Sequence, residues 1–236
     1  MARASMRVSG RVVKRFIVSS AMFAAGCSTP FYLSHDHVTS TPRSPSVDMA
    51  VLACEPVAAL GVVTPSGIQG LSPTISHALT VALAQGSPPI RVVSMPEVLN
   101  RLTDRGLAGE YADLLAGYGR SGIPERERLQ RIGAALGSRY LLQPGLAEFS
   151  QSLVDKFEFS GLKIVKTRIS ALRLWLQVWD TQTGHLLSES TGELTVAASV
   201  VRQDRTVSLD DIAQKLWSRI IRDGLLAGST GSQPCL

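Results

Sequence analysis

The side chains able to do chemistry in this chain are few, and their types narrow what it can be. Cys27, Cys54 and Cys235 offer thiols for acylation, disulfide formation or metal ligation. No two of them form a C-x-x-C pair, and Cys54 lies in an apolar run where a small buried hydrophobe would serve equally well. Of the four histidines, His35 and His37 flank Asp36 in a set that would ligand a metal given further donors nearby, and the segment supplies none. His77 and His185 are expected to be solvated or hydrogen-bonded rather than catalytic. No G-x-S-x-G elbow and no P-loop occurs, and no G-x-G-x-x-G follows a strand. The sequence therefore leads us to expect no catalytic residue, no cofactor site and no metal site. Trp175, with Arg173 and Gln177, is a candidate interaction surface, because an indole with one wet face suits contact with a protein or a glycan. The competing reading makes it core: Trp175 and Trp179, four apart on a strand, share a face over which the helix bearing Trp217 packs.

Cys27 has the most specific surroundings. Arg3, Arg7, Arg11, Lys14 and Arg15 form a basic stretch, and no carboxylate precedes Asp36. Phe16 to Ala25 is uncharged and largely apolar, roughly half the length of a bilayer-spanning helix, which fits the hydrophobic region of a signal peptide. Ala24-Ala25-Gly26 then leads directly into Cys27, a run that resembles the lipobox of bacterial lipoprotein precursors. Ala24 stands where leucine is usual, so ordinary A-x-A cleavage is the alternative. A cysteine is required because its thiol accepts a diacylglyceryl group as a thioether before cleavage frees the amine. Each buried methylene contributes about 0.8 kcal/mol, so one acyl chain anchors marginally and the two or three of a mature lipoprotein anchor durably. Ser28 follows Cys27 in place of the aspartate that retains enterobacterial lipoproteins at the inner membrane, which implies the outer membrane, periplasmic face. In that oxidising compartment Cys54 and Cys235 are a candidate disulfide between the first strand and the C-terminal tail.

The high pI belongs to the leader. Removing its five cations from the 24 lysines and arginines leaves 19 against 19 carboxylates, which takes away the motive for a nucleic-acid partner. The remainder is enough for one domain with a real core.

These residues must be positioned by the following elements. Residues 1–26 read as the signal peptide, and 27–47, with Pro30, Pro42, Pro45 and many serines and threonines, as lipidated cysteine and flexible tether. An α/β domain (α+β in arrangement) is expected over 48–227, with a mixed sheet, a long C-terminal hairpin and helices packed on it; 228–236 is a tail. Asp48 to Leu60 reads as a first strand. Ser72 and Pro73 open a helix to about Gln85, its apolar positions Ile75, Ala78, Leu79, Ala82 and Leu83 making one face. A short strand over Ile90–Ser94, helices around Leu99, over 106–119 and over 124–136, and a Gly137 stop follow. Tyr140 to Phe149 reads as a strand in which Pro144-Gly145 argues for a bulge or an edge. Thr167–Asp180 and His185–Val196 make a hairpin, with Leu172, Leu174, Leu176 and Val178 on one face and Ala171, Arg173, Trp175, Gln177 and Trp179 on the other. Ser208 caps a last helix running to Leu225.

The segments G-L-S-P-T-I-S-H-A-L (70–79), R-I-G-A-A-L-G-S-R-Y-L-L-Q-P-G (131–145) and V-W-D-T-Q-T-G-H-L-L-S-E-S (178–190) resemble the CsgG-like bacterial envelope lipoproteins and the related TolB N-terminal domain. The resemblance implies the α/β fold above and a non-catalytic adaptor, ring or activator role beside envelope proteins, with homo-oligomers in some members. The curli channel of that group adds two membrane hairpins per subunit, whereas only residues 148–165 alternate even weakly here, through Phe149, Leu153, Phe157 and Phe159.

Overall fold

The computed structural model describes residues 33–42, 49–158, 163–199 and 207–226. The leader, Cys27, Cys235 and the tail from Gly228 lie outside these residues. The domain is α+β, built on a six-stranded mixed sheet in the order β1-β6-β5-β4-β2-β3. In chain order the elements are β1 (Leu33–Pro42), β2 (Val57–Ala59), α1 (Ser72–Ala84), β3 (Val92–Val93), α2 (Met95–Asp104), α3 (Ala108–Ser121), α4 (Arg126–Leu136), β4 (Tyr140–Glu158), β5 (Lys163–Asp180), β6 (Leu186–Ser199) and α5 (Leu209–Arg219). A π-helical turn, Ile220–Leu225, continues α5.

Helices cover both faces because the parallel part of the sheet reverses direction. β2 to β3 steps outward, β3 to β4 steps back past β2, and right-handed crossovers then place α1 on one face and α2, α3 and α4 on the other. The first face joins α1 and α5 to the Leu172, Leu174, Leu176 and Val178 stripe of β5; the second gathers Val98, Leu102, Leu114, Leu129, Ile132 and Trp179. The periodicity of α1 is realised, with Ile75, Ala78, Leu79, Ala82 and Leu83 all buried.

Three expectations need correction. The segment expected as a tether contains β1, antiparallel to β6 from Leu33↔Ala197 to Pro42↔Ser188. Val38 packs against the core and Asp36 pairs with Arg219, while His35, His37, Thr39 and Thr41 turn outward. Val38 and the Asp36–Arg219 pair fix the inward side, and the four residues that alternate with them face water. The expected strand over 48–60 is instead a 3-10 turn, Met49–Ala53, followed by three-residue β2. Pro56 precedes β2 and lacks an N–H, and the pairing begins where Val57 donates to the Arg91 carbonyl at 2.9 Å. Trp217 does not lie over Trp175 and Trp179. It is fully buried on the opposite face, its Nε1 donating to the Ile75 carbonyl at 3.1 Å. Gly192 admits α5 there, since a Cβ at that position would stand 2.8 Å from Leu216.

Pro144-Gly145 sits inside the sheet, and the ladder is irregular just beyond it, between Leu146 and Glu148. The proline cannot donate to the chain leaving β2; the Gln143 side-chain amide donates to the Gly61 carbonyl at 2.8 Å instead. The hairpin turn between β5 and β6 is held by Asp180, whose Oδ1 accepts the Gln182 N–H at 2.8 Å, and by Gly184 at φ 74°. Ser208 and Asp211 form a reciprocal capping box at the start of α5.

Because the Trp217 indole is enclosed by α1 and the β5 stripe, Trp217→Ala should cost about 3–5 kcal/mol, read as a lowered urea midpoint at unchanged slope.

Candidate functional site

Side chains alternate along β5, so Arg173, Trp175, Gln177 and Trp179 share the second face. α3 covers only part of it. Tyr118, near the end of α3, donates its hydroxyl to Gln177 Oε1 at 2.6 Å, and the Trp179 Nε1 donates to the same oxygen at 3.1 Å. Gly122, at φ 68°, then ends the helix. Gln177 is therefore buried, its oxygen accepting two donors, and is withdrawn from the surface to which the sequence assigned it. Burial, and next the nearby Glu189 carboxylate, holds the Tyr118 hydroxyl well above its ordinary pKa, so it stays a donor. This network was missed in the sequence because its tyrosine arrives from 59 positions away.

Beyond Tyr118 the face opens. Trp175 is half-buried, its ring centroid 6.0 Å from that of Tyr118. Its indole lies flat over Gly145, where a Cβ would fall 1.8 Å from Cε2. The next rung crosses four strands in register, Glu148, Arg173, Glu193 and His37. Arg173 is bracketed by Glu193 at 2.9 Å and Glu148 at 3.6 Å, all three substantially exposed. Pairs so exposed contribute little to stability; they set the charge pattern of a flat polar surface. The Thr39 hydroxyl lies 3.0 Å from His37 Nε2. β1 splits the His35-Asp36-His37 set, both histidines joining this face and Asp36 turning to Arg219 on the other. Among the described residues no group of three or more metal-ligating side chains forms.

His77 lies in a different place, a mainly apolar cleft of about 670 Å³ between α1 and α2, with Ser76, Thr80, Met95 and Leu99. His185 is exposed beside the β5–β6 turn. Cys54 is disulfide-bonded; Cys235, its expected partner, lies outside the described residues. Among those residues no helix is long and apolar enough to cross a membrane.

The class that this arrangement defines is an α+β domain with helices on both faces of a mixed sheet and one half-face left open. No protein-family model and no curated protein sequence matches the chain. Solved structures similar to it include the PelC dodecamer from Paraburkholderia phytofirmans, at 12% identity and TM-score 0.44 over 79% of this chain and 95% of that one. Lipoprotein GNA1162 from Neisseria meningitidis matches at 13% identity and TM-score 0.43, over 72% and 96%. The C-terminal domain of LpoB from Salmonella enterica matches at 14% identity and TM-score 0.35, over 64% and 86%.

Two outcomes are expected. Gly145→Ala forces the Trp175 indole out of its seat and should destabilise the domain by about 1–3 kcal/mol, with a red-shifted tryptophan emission. On the helical side, burial pushes the Tyr111 hydroxyl from its ordinary 10 up to about 12, against the opposing pull of the Gly61 N–H that it accepts at 2.7 Å. The folded state thus holds that proton more tightly than the unfolded chain. The resulting stability is complete below pH 10 and is lost as pH rises toward 12. Tyr111→Phe should flatten this stretch of the stability–pH curve, measured by chemical denaturation at each pH.

Proposed function

We propose that the chain is an outer-membrane lipoprotein, anchored through Cys27 and facing the periplasm, that serves as a non-catalytic adaptor or assembly module of an envelope complex for export, secretion or cell-wall synthesis. The observation that carries the reading is the N-terminal order of basic stretch, short apolar run, Ala24-Ala25-Gly26 and Cys27. The half-open sheet face supports the adaptor role. It offers a partner one seated aromatic, Trp175, and a fixed charge rung of Glu148, Arg173 and Glu193, the mixture of rigid ring and arginine on which protein interfaces concentrate their energy.

Labelled palmitate should enter the native chain and not the Cys27→Ser variant, and the N-terminal peptide of the mature protein should begin at an acylated Cys27. An unmodified N-terminus at another residue would sink the anchor. The adaptor role is tested by crosslinking the full-length lipoprotein in its own membranes: Arg173→Gln, at an exposed position, should lose the partner that the native chain captures while folding normally. Acylation of Cys27 leaves Cys235 as the partner for Cys54 within the chain, so non-reducing peptide mapping should recover that linkage.

A ring or pore subunit is the second reading, favoured by one feature. β4 and β5 are 19 and 18 residues long, about twice what a membrane-crossing strand requires. A large detergent-stable homo-oligomer recovered without other proteins would move the assignment there.

A further inference from the structure

The outer part of the β4–β5 ribbon and the start of β1 lie at one end of the sheet. Leu33 pairs with Ala197, Ala197 with Ile169 and Ile169 with Ser152, a single rung across four strands. Immediately past that rung are Leu153 and Val154, 54% and 38% exposed. They are two of the few large apolar side chains that the described domain leaves in water. Being adjacent on a strand, they point to opposite faces of the ribbon, so no single helix could cover both. Their cross-strand partners are Arg168 and Thr167, and Lys166 next to them is exposed. From Leu153 to Arg168 the sequence holds four cations, Lys156, Lys163, Lys166 and Arg168, against Asp155 and Glu158.

We infer that this end of the β4–β5 ribbon rests in the lipid surface to which the chain is anchored, with Leu153 and Val154 in the headgroup–acyl boundary and Lys166 and Arg168 among anionic headgroups. The inference rests on the Cys27 anchor proposed above. Cys27 precedes Leu33 by six residues, a length that spans at most about 20 Å. From β1 across to β4 is three strand spacings, about 15 Å. An acylated Cys27 therefore keeps that rung within about 35 Å of the bilayer. An apolar pair flanked by excess positive charge is the composition that partitions into an anionic interface. β1 itself makes the constraint firm: with the ladder formed to Leu33, the leash is the short stretch 28–32 rather than some twenty residues of loose chain.

The test uses the full-length lipoprotein reconstituted into vesicles of phosphatidylethanolamine and phosphatidylglycerol, with and without lipids brominated on the acyl chain. Leu153→Trp should show tryptophan emission that is lost on adding brominated lipid, beyond the loss seen with the native chain. Leu99→Trp, on α2 and also exposed, serves as control and should show no added loss. Raising salt should weaken the quenching at position 153 without releasing the protein. If the protein floats with the vesicles and Leu153→Trp is quenched no more than Leu99→Trp, the ribbon contact is wrong and the anchor stands. Emission at 153 that shifts to the blue with protein concentration instead of responding to lipid would assign the pair to a second copy and also overturn the proposal. Failure to float at all removes the anchor, and the ribbon contact with it.

Discussion

Everything in this domain leans on β5. Along its second half, Leu172, Leu174, Leu176 and Val178 bury completely against α1 and α5, and the opposite side carries Trp179 and Gln177 into the layer made by α2, α3 and α4. One strand thus supplies apolar surface to two cores, which requires it to sit in the interior of the sheet, flanked by β4 and β6. The cost is a buried amide at position 177. It is met by donors on both sides, from Tyr118 and Trp179, so no desolvation penalty of the kind that follows an unpaired polar group remains at its oxygen. The pairing also fixes register: a one-residue slip would send the leucine stripe to the wrong face.

How far the sequence announced this differs from element to element. α1 and the β5–β6 hairpin were legible because their signals are local: a three- and four-residue apolar spacing after Ser72-Pro73, and strict alternation closing on D-T-Q-T-G. β1 was hidden because an edge strand needs only one side buried, and its inward side holds Val38 and an ion pair rather than an apolar run. β2 was overread for the converse reason. Val51 and Leu52 are apolar because a 3-10 turn packs Leu52 fully into the core, and composition alone does not distinguish that from a strand.

The candidate surface was partly legible in the same sense. Alternation placed Arg173, Trp175 and Gln177 on one face, and the fold keeps them there. What no local pattern contains is where a helix from elsewhere stops. α3 ends at Ser121, Gly122 takes a left-handed turn, and cover ceases between Gln177 and Trp175. The indole survives half in water because Gly145 on β4 leaves it a flat seat. Trp217 shows the same limit from the other side: its helix is plainly amphipathic in sequence, but which face of the sheet receives it was decided by Gly192, whose missing side chain admits Leu216 and Ile220.

The open half-face and the β1 edge are consequences of one choice. Had the segment after Cys27 remained loose, β6 would present an unpaired edge, and exposed edges recruit other strands. β1 pairs with that edge, becomes the outermost strand in its place and extends the polar face by His35, His37, Thr39 and Thr41. It also shortens the chain between the domain and Cys27. A strand that serves the sheet thereby sets two things at once: how broad a polar surface the domain presents, and how few residues separate that surface from Cys27. The polar outward pattern of β1, which made it read as a linker, is what lets it do both, since a strand with an apolar outer side would have closed the face with a core rather than widened it.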